Sequence, residues 1–230
     1  MAEPLALPEY QGLTQRAQTN TPSSINLPVI EEGEAVGEVA ALYEHFRTHF
    51  GRPQVPGILK CFATHPPLLR HMMALSESLL FADGALNRRH KEMIATFISV
   101  QNDCAYCADS HGYFLRVHDG SQEVLCALQE GSLTSTALTQ AEQALLTFVQ
   151  KVSLQSNRVT PADMESLRQS GWNNLQIAEA IHLTALFATF NRVASAFGLP
   201  SQRLLDFYGA HHPSDINDVR IDARKGQVSD

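Results

Sequence analysis

The chain has 230 residues, of which 44% are apolar and 18% charged, with a net charge of −7. That balance fits one globular domain with a sizeable core and excludes a disordered polyelectrolyte. It also argues against nucleic acid as the main partner, because phosphate binding needs clustered positive charge. Four cysteines are too few for a disulfide scaffold, and the first residues have neither a basic nor an apolar signal region. No uncharged run reaches the ~18 apolar residues of a membrane span, and no basic amphipathic stretch suits an anionic membrane surface. The expected setting is therefore cytoplasmic and reducing. There, closely spaced cysteines point to metal binding or redox chemistry.

Residues 1–33 are rich in Pro, Thr, Ser and Gln without helical period. They read as an extended arm, with Ile25, Leu27, Val29 and Ile30 packing on a neighbour. Residues 34–200 read as a single all-helical domain. Val36, Val39, Leu42, Tyr43 and Phe46 recur at three and four, and Gly51 and Pro53 stop that segment. A short helix is expected over 56–64, and a longer one over 67–82 ending near Gly84. Asn87 is placed to cap a helix over 88–101. After a break at Asn102 and Asp103, another runs to about His118. Ser121 caps a short helix up to Gly131, and Thr139 with Glu142 makes a capping box for the next. Pro161 sits at a first helical position. The last long helix, over 174–197, is apolar nearly all round and so is buried, centrally or in a subunit contact. No segment alternates like a strand, which gives an all-α fold. Residues 201–230 form a polar tail.

The chemistry concentrates around Cys104 and Cys107. With Asp103 or Asn102 as N-cap, both fall at the start of a helix. Residues i and i+3 lie roughly 5–6 Å apart there, close to the Cα separation a disulfide needs. The helix N-terminus favours a thiolate, the nucleophilic form. His111, four residues beyond Cys107, faces the same side and is placed to take its proton. Glu92 lies about ten residues before the break, roughly 15 Å down one arm of a helical hairpin at 1.5 Å per residue. His111 lies about 12 Å down the other arm on the same rise. The two carboxylate and imidazole groups should therefore meet, giving a chain Glu92–His111–Cys107 with Cys104 as resolving thiol.

Glu92, eleven residues, Cys104-x-x-Cys107, three residues and His111 resemble the signature of the alkylhydroperoxidase D family, within the carboxymuconolactone decarboxylase-like group. The match is close over 88–116. Beyond it, the 141–146 stretch and Phe190 to Ala194 before Gly198 resemble the longer peroxidase-related branch. The resemblance implies an all-helical homo-oligomer (dimer, trimer or hexamer) that reduces hydroperoxides with a dithiol reductant of lipoyl or thioredoxin-like type. It implies no cofactor. By position, Cys107 matches the cysteine that becomes a sulfenic acid, Cys104 the one that closes the disulfide, and Glu92 and His111 the proton relay. Tyr106 departs from alkylhydroperoxidase D itself, which has a relay histidine there. A phenol with pKa near 10 cannot play that part at neutral pH.

Three other readings compete. Half a zinc site would need a fourth ligand that no familiar spacing supplies, so no metal is expected. A dithiol–disulfide carrier would use the same cysteines without peroxide chemistry. A decarboxylase-like or structural oligomer would not need them. Cys61 and Cys126 read as buried small hydrophobes. His45 and His49 read as a solvated or interfacial pair, and His211 and His212 as tail residues. Asn191 and Arg192 read as a buried hydrogen bond or ion pair, or as a contact to a substrate carboxylate.

Overall fold

The computed structural model describes residues 25–206. The tail histidines and most of the expected arm lie outside that range. Nine α-helices and two short helical turns, one π and one 3-10, are assigned among the described residues, with no strand. The α-helices are numbered in chain order. They are α1 (Gly37–Phe50), α2 (Gly57–Phe62), α3 (Pro66–Ser76), α4 (Arg88–Gln101), α5 (Ala105–Val117), α6 (Gln122–Gln129), α7 (Gln140–Gln155), α8 (Pro161–Gln169) and α9 (Asn174–Phe197). The all-α expectation holds.

The caps follow local chemistry. Asn87 accepts from the His90 amide, Ser121 from Val124 and Thr139 from Glu142. Asp163 completes a second capping box with Thr160, and Gln176 a third with Asn173. Each satisfies backbone donors that a helix start leaves open. Val36 is the exception to the predicted apolar stripe. It is the N-cap of α1 and is 78% exposed, because the helical face begins only after it. The helix predicted over 67–82 is regular only to Ser76. It then widens into a π turn, Glu77–Phe81.

Helix α4 is the centre of the molecule. Every residue from Lys91 to Val100 is buried. Its main neighbours are α5 and α9, with α6 and α7 beside them. The apolar α9 is thus buried within its own chain, through residues such as Leu183, Phe187 and Phe190. The one lysine in this core, Lys91, uses all three of its donors. Nζ meets Glu179 at 2.7 Å and the carbonyls of Leu79 and Ala82 at 2.9 Å each, which pins the end of the π turn to α4.

The described part of the arm ties back onto the same chain. The Asn26 amide donates to the Phe197 carbonyl at 2.8 Å. The Tyr43 hydroxyl donates to the Ile30 carbonyl at 2.8 Å. Glu31 and Glu32 pair with Lys60 and Arg47. Ile25 and Leu27 remain exposed.

Candidate active site

The break between α4 and α5 is a Schellman turn. Asp103 takes a left-handed φ of 53°, the Cys104 amide donates to the Ser99 carbonyl, and the Asp103 amide donates to the Val100 carbonyl. This is the usual way of satisfying the last carbonyls of a helix. Because Asp103 ends α4 in this way, it cannot cap α5, as the sequence suggested. Cys104 is itself the N-cap and Cys107 lies in the first turn. The two thiols are unbridged and buried.

Their environments differ. The Cys107 thiol faces Cys104 Sγ as a donor, and this holds the Cys104 thiol down at about 7 against the opposing effect of burial. The Cys107 amide, Ser195 and Asn191 add polar contacts, short of a full side-chain cap. Cys107 is pushed up instead, because its proton is engaged by Cys104 and because burial and the Cys104 charge disfavour a second anion. The two shifts have opposite signs, so Cys104 is the more acidic sulfur of the pair.

Glu92 and His111 meet as the hairpin predicts. His111 Nδ1 lies 2.7 Å from Glu92 Oε2. The other oxygen, Oε1, accepts from Arg88 Nε at 2.7 Å. Glu92 is fully buried, and although desolvation raises its carboxyl, the His111 and Arg88 contacts win and hold it below the usual range. A carboxylate on Nδ1 keeps the proton there and leaves Nε2 as the free ring acceptor. The ring also stands edge-on to Phe187, centroids 4.6 Å apart. No hydrogen bond joins His111 to Cys107 among the described residues.

Two hollows flank the start of α5. One is an apolar cavity of about 100 Å3, whose wall includes Tyr106, Ser110, His111 and Phe114 from α5, Phe46 from α1 and Phe81 from the π turn. The other is a groove of about 410 Å3 with Cys104, Asp103, Asp109, Cys126 and Glu130 on its lining. Cys107 lines neither. It lies one turn before His111 on α5, buried with Cys104, Tyr106 and Ala194.

The remaining sequence candidates sort plainly. Tyr106 accepts the Ile58 amide at 3.2 Å, and burial pushes its phenol up, so it shapes the cavity wall. Cys61 is buried, its thiol pushed up to about 12 by desolvation. Cys126 is only half-buried and sits on the groove with Cys104. His45 and His49 stack on each other, and His49 pairs with Glu77. No group of three or more His, Cys, Asp or Glu is arranged for a metal among the described residues.

Residues 66–150 match the carboxymuconolactone decarboxylase family model. The chain superposes on a peroxidase-related protein with an alkylhydroperoxidase AhpD core from Ralstonia eutropha JMP134, with TM-score 0.70 and 27% identity over 78% of this chain and 94% of that one. An uncharacterized peroxidase-related protein from Silicibacter sp. TM1040 gives 0.67 and 27%, over 78% and 95%. Residues 66–150 thus carry the carboxymuconolactone decarboxylase family match, and the chain as a whole is similar in fold to alkylhydroperoxidase D-like proteins. The fold extends to the debrominase Bmp8, solved in complex with 2,3,4-tribromopyrrole, at TM-score 0.65 and 15% identity over 81% of this chain and 99% of that one. No curated protein matches the chain. No helix among the described residues is long and apolar enough to cross a membrane.

For this alkylhydroperoxidase D-like chain, the site residue that sequence reading undervalued is Asn191. It is the buried polar residue that α9 brings against the α4–α5 turn. Nδ2 donates to Ser99 Oγ and Oδ1 accepts from Asn102 Nδ2, both at 2.9 Å, and the side chain also contacts both sulfurs. Arg192, beside it, is exposed and bonds only one turn back, to the Ala188 carbonyl. The signal was an amide inside an apolar helix, which buried-polar logic marks for a partner. Asn191→Ala should raise the Cys104 ionisation above about 7. It should also destabilise the fold by about 1–3 kcal/mol through the orphaned Ser99 and Asn102 groups. A pH titration of thiolate absorbance, paired with denaturant unfolding, reads both.

Proposed function

We propose that the protein is a thiol-dependent peroxidase in which Cys104 and Cys107 cycle between dithiol and disulfide. The observation that carries this is the pairing of two buried sulfurs at one helix start, with Cys104 on an open groove and the His111 ring, held by Glu92, on the wall of an apolar cavity.

A hydroperoxide enters the apolar cavity and reaches Cys107 past His111. The Cys107 proton passes to the Cys104 thiolate along the contact already present, and Cys107 attacks the outer peroxide oxygen. The O–O bond breaks, sulfur is oxidised to sulfenic acid, and the alkoxide leaves as an alcohol after taking a proton from the Cys104 thiol. Cys104, a thiolate again, attacks the sulfenic sulfur, closing the disulfide and releasing hydroxide, which becomes water on protonation. Glu92 holds the His111 ring so that Nε2 can accept a hydrogen bond from the peroxide. Two electrons from an external dithiol reopen the bridge. Cys104 faces the groove, so the mixed disulfide with that donor, of lipoyl or thioredoxin-like type, forms there.

Intact-mass analysis after one equivalent of hydroperoxide tests this. Wild type should lose two hydrogens, Cys104→Ser should gain one oxygen on Cys107, and Cys107→Ser should do neither at a comparable rate. Thiols that survive peroxide untouched but exchange readily with a disulfide would identify a carrier instead. Full function after alkylation of both cysteines would overturn any redox role.

A further inference from the structure

The apolar cavity contains one charge that the proposed chemistry leaves unused. Arg52 lies in the turn after α1 and lines the cavity. Its guanidinium stands 4.7 Å over the Phe114 ring. No carboxylate pairs with it and its side chain makes no hydrogen bond among the described residues. The nearest acid of the site cannot serve, because both Glu92 oxygens are taken, one by Arg88 and one by His111, each at 2.7 Å. The phenols of Tyr106 and Tyr113 are its remaining electrostatic neighbours, with Arg88 opposing them. Burial pulls Arg52 below its ordinary value, yet an arginine stays charged in proteins. The cavity wall therefore presents a half-buried cation, unpaired among the described residues, beside largely apolar surface, where an anion gains a charge-assisted partner.

His111 is on the same wall. Its ring centroid lies 6.1 Å from that of Phe114, the ring Arg52 covers. A ligand held by Arg52 thus lies along Phe114 toward His111, which is one turn from Cys107 on α5. The lining also includes Phe46, Phe50 and Phe81, which suit hydrocarbon. An arginine's planar fork suits a carboxylate, which it binds with two parallel hydrogen bonds.

We propose that the cavity selects short amphipathic carboxylates, with the carboxylate on Arg52, the hydrocarbon against Phe46 and Phe81, and the peroxide group at the His111 end. This rests on the peroxidase reading for the peroxide end only. The carboxylate end is a binding claim that stands or falls by itself.

Calorimetric titration with hexanoate and with 1-hexanol separates the two. Hexanoate should bind the reduced protein at least about tenfold more tightly than hexanol, as a charge-assisted pair in a partly dry site implies. Arg52→Gln should weaken hexanoate by about the same factor and bring the two ligands to parity, and Arg52→Lys should recover only part of the preference. Equal binding of both by wild type, binding of neither, or an Arg52→Gln variant that melts earlier without altering the preference would each overturn the proposal. In turnover, 6-hydroperoxyhexanoate should exceed hexyl hydroperoxide in kcat/KM by about tenfold, a ratio that falls to about one in Arg52→Gln. Tight, Arg52-dependent hexanoate binding without reduction of either peroxide would support the carboxylate site and overturn the peroxidase reading.

Discussion

Replacing Glu92 by Gln is expected to destabilise the protein by about 3 kcal/mol, because breaking a buried ion pair from one side leaves the other side uncompensated. Glu92 is fully buried and serves two donors, Arg88 Nε and His111 Nδ1. A carboxylate accepts both. An amide offers one acceptor oxygen and turns its NH2 group toward the other partner, so one donor faces a donor. At about 2–4 °C per kcal/mol for a chain of this size, thermal unfolding should shift down by about 6–12 °C. The pH dependence gives an independent check. Glu92 is held below its ordinary value of 4.5 in the folded protein, so between the two values the unfolded chain binds more protons. Its contribution is complete above about 4.5 and is lost as pH falls through the folded value. Wild type should therefore lose stability on acidification over that interval more steeply than Glu92→Gln. Equal acid slopes would mean that the carboxylate is not ionised in the fold.

The same couple shows what the sequence could and could not reveal. Glu92 and His111 were legible because both sit on helices joined by a short turn, and helical rise converts sequence distance directly into depth. The cap positions were legible for a similar reason, since a cap is satisfied within three or four residues. Three features of the site were not. Cys104 moved from first turn to N-cap because Asp103 is consumed by the Schellman turn of α4, and which helix claims a junction residue depends on backbone dihedrals. The π turn at Glu77–Phe81, which brings Leu80 and Phe81 to the cavity, obeys no apolar period. Asn191 and Arg52 arrive from 87 residues after and 52 residues before Cys104. Their nearness to the thiols is a property of how α9 and the turn after α1 pack on the central hairpin. Nothing local to either residue encodes it.

The second large effect concerns the two sulfurs. In a Cys126→Ser background, which removes the half-buried thiol of the groove, wild-type Cys104 should ionise near 7. Cys61 stays silent because burial pushes it up to about 12. Cys104→Ala leaves Cys107, now free of its anionic neighbour but still desolvated. Its thiol should ionise above the ordinary value of about 8.5, since the helix N-terminus alone does not offset burial at this depth. Thiolate at pH 7 should then fall by more than about 15-fold relative to wild type, and alkylation by iodoacetamide with it. Cys107→Ala should act in the same direction for a different reason: Cys104 loses its thiol donor, the largest contribution to its acidity, and ionises later than in wild type while keeping its contacts to Asn191 and Ser195. Two single variants that each suppress the neutral-pH thiolate imply a proton shared between sulfurs, which the dithiol needs if one sulfur is to attack while the other holds the proton. A Cys107→Ala protein that still ionises near 7 would instead assign the acidity to the helix start and the α9 side chains. Cys104 would then be the attacking thiol, met from the groove rather than from the apolar cavity.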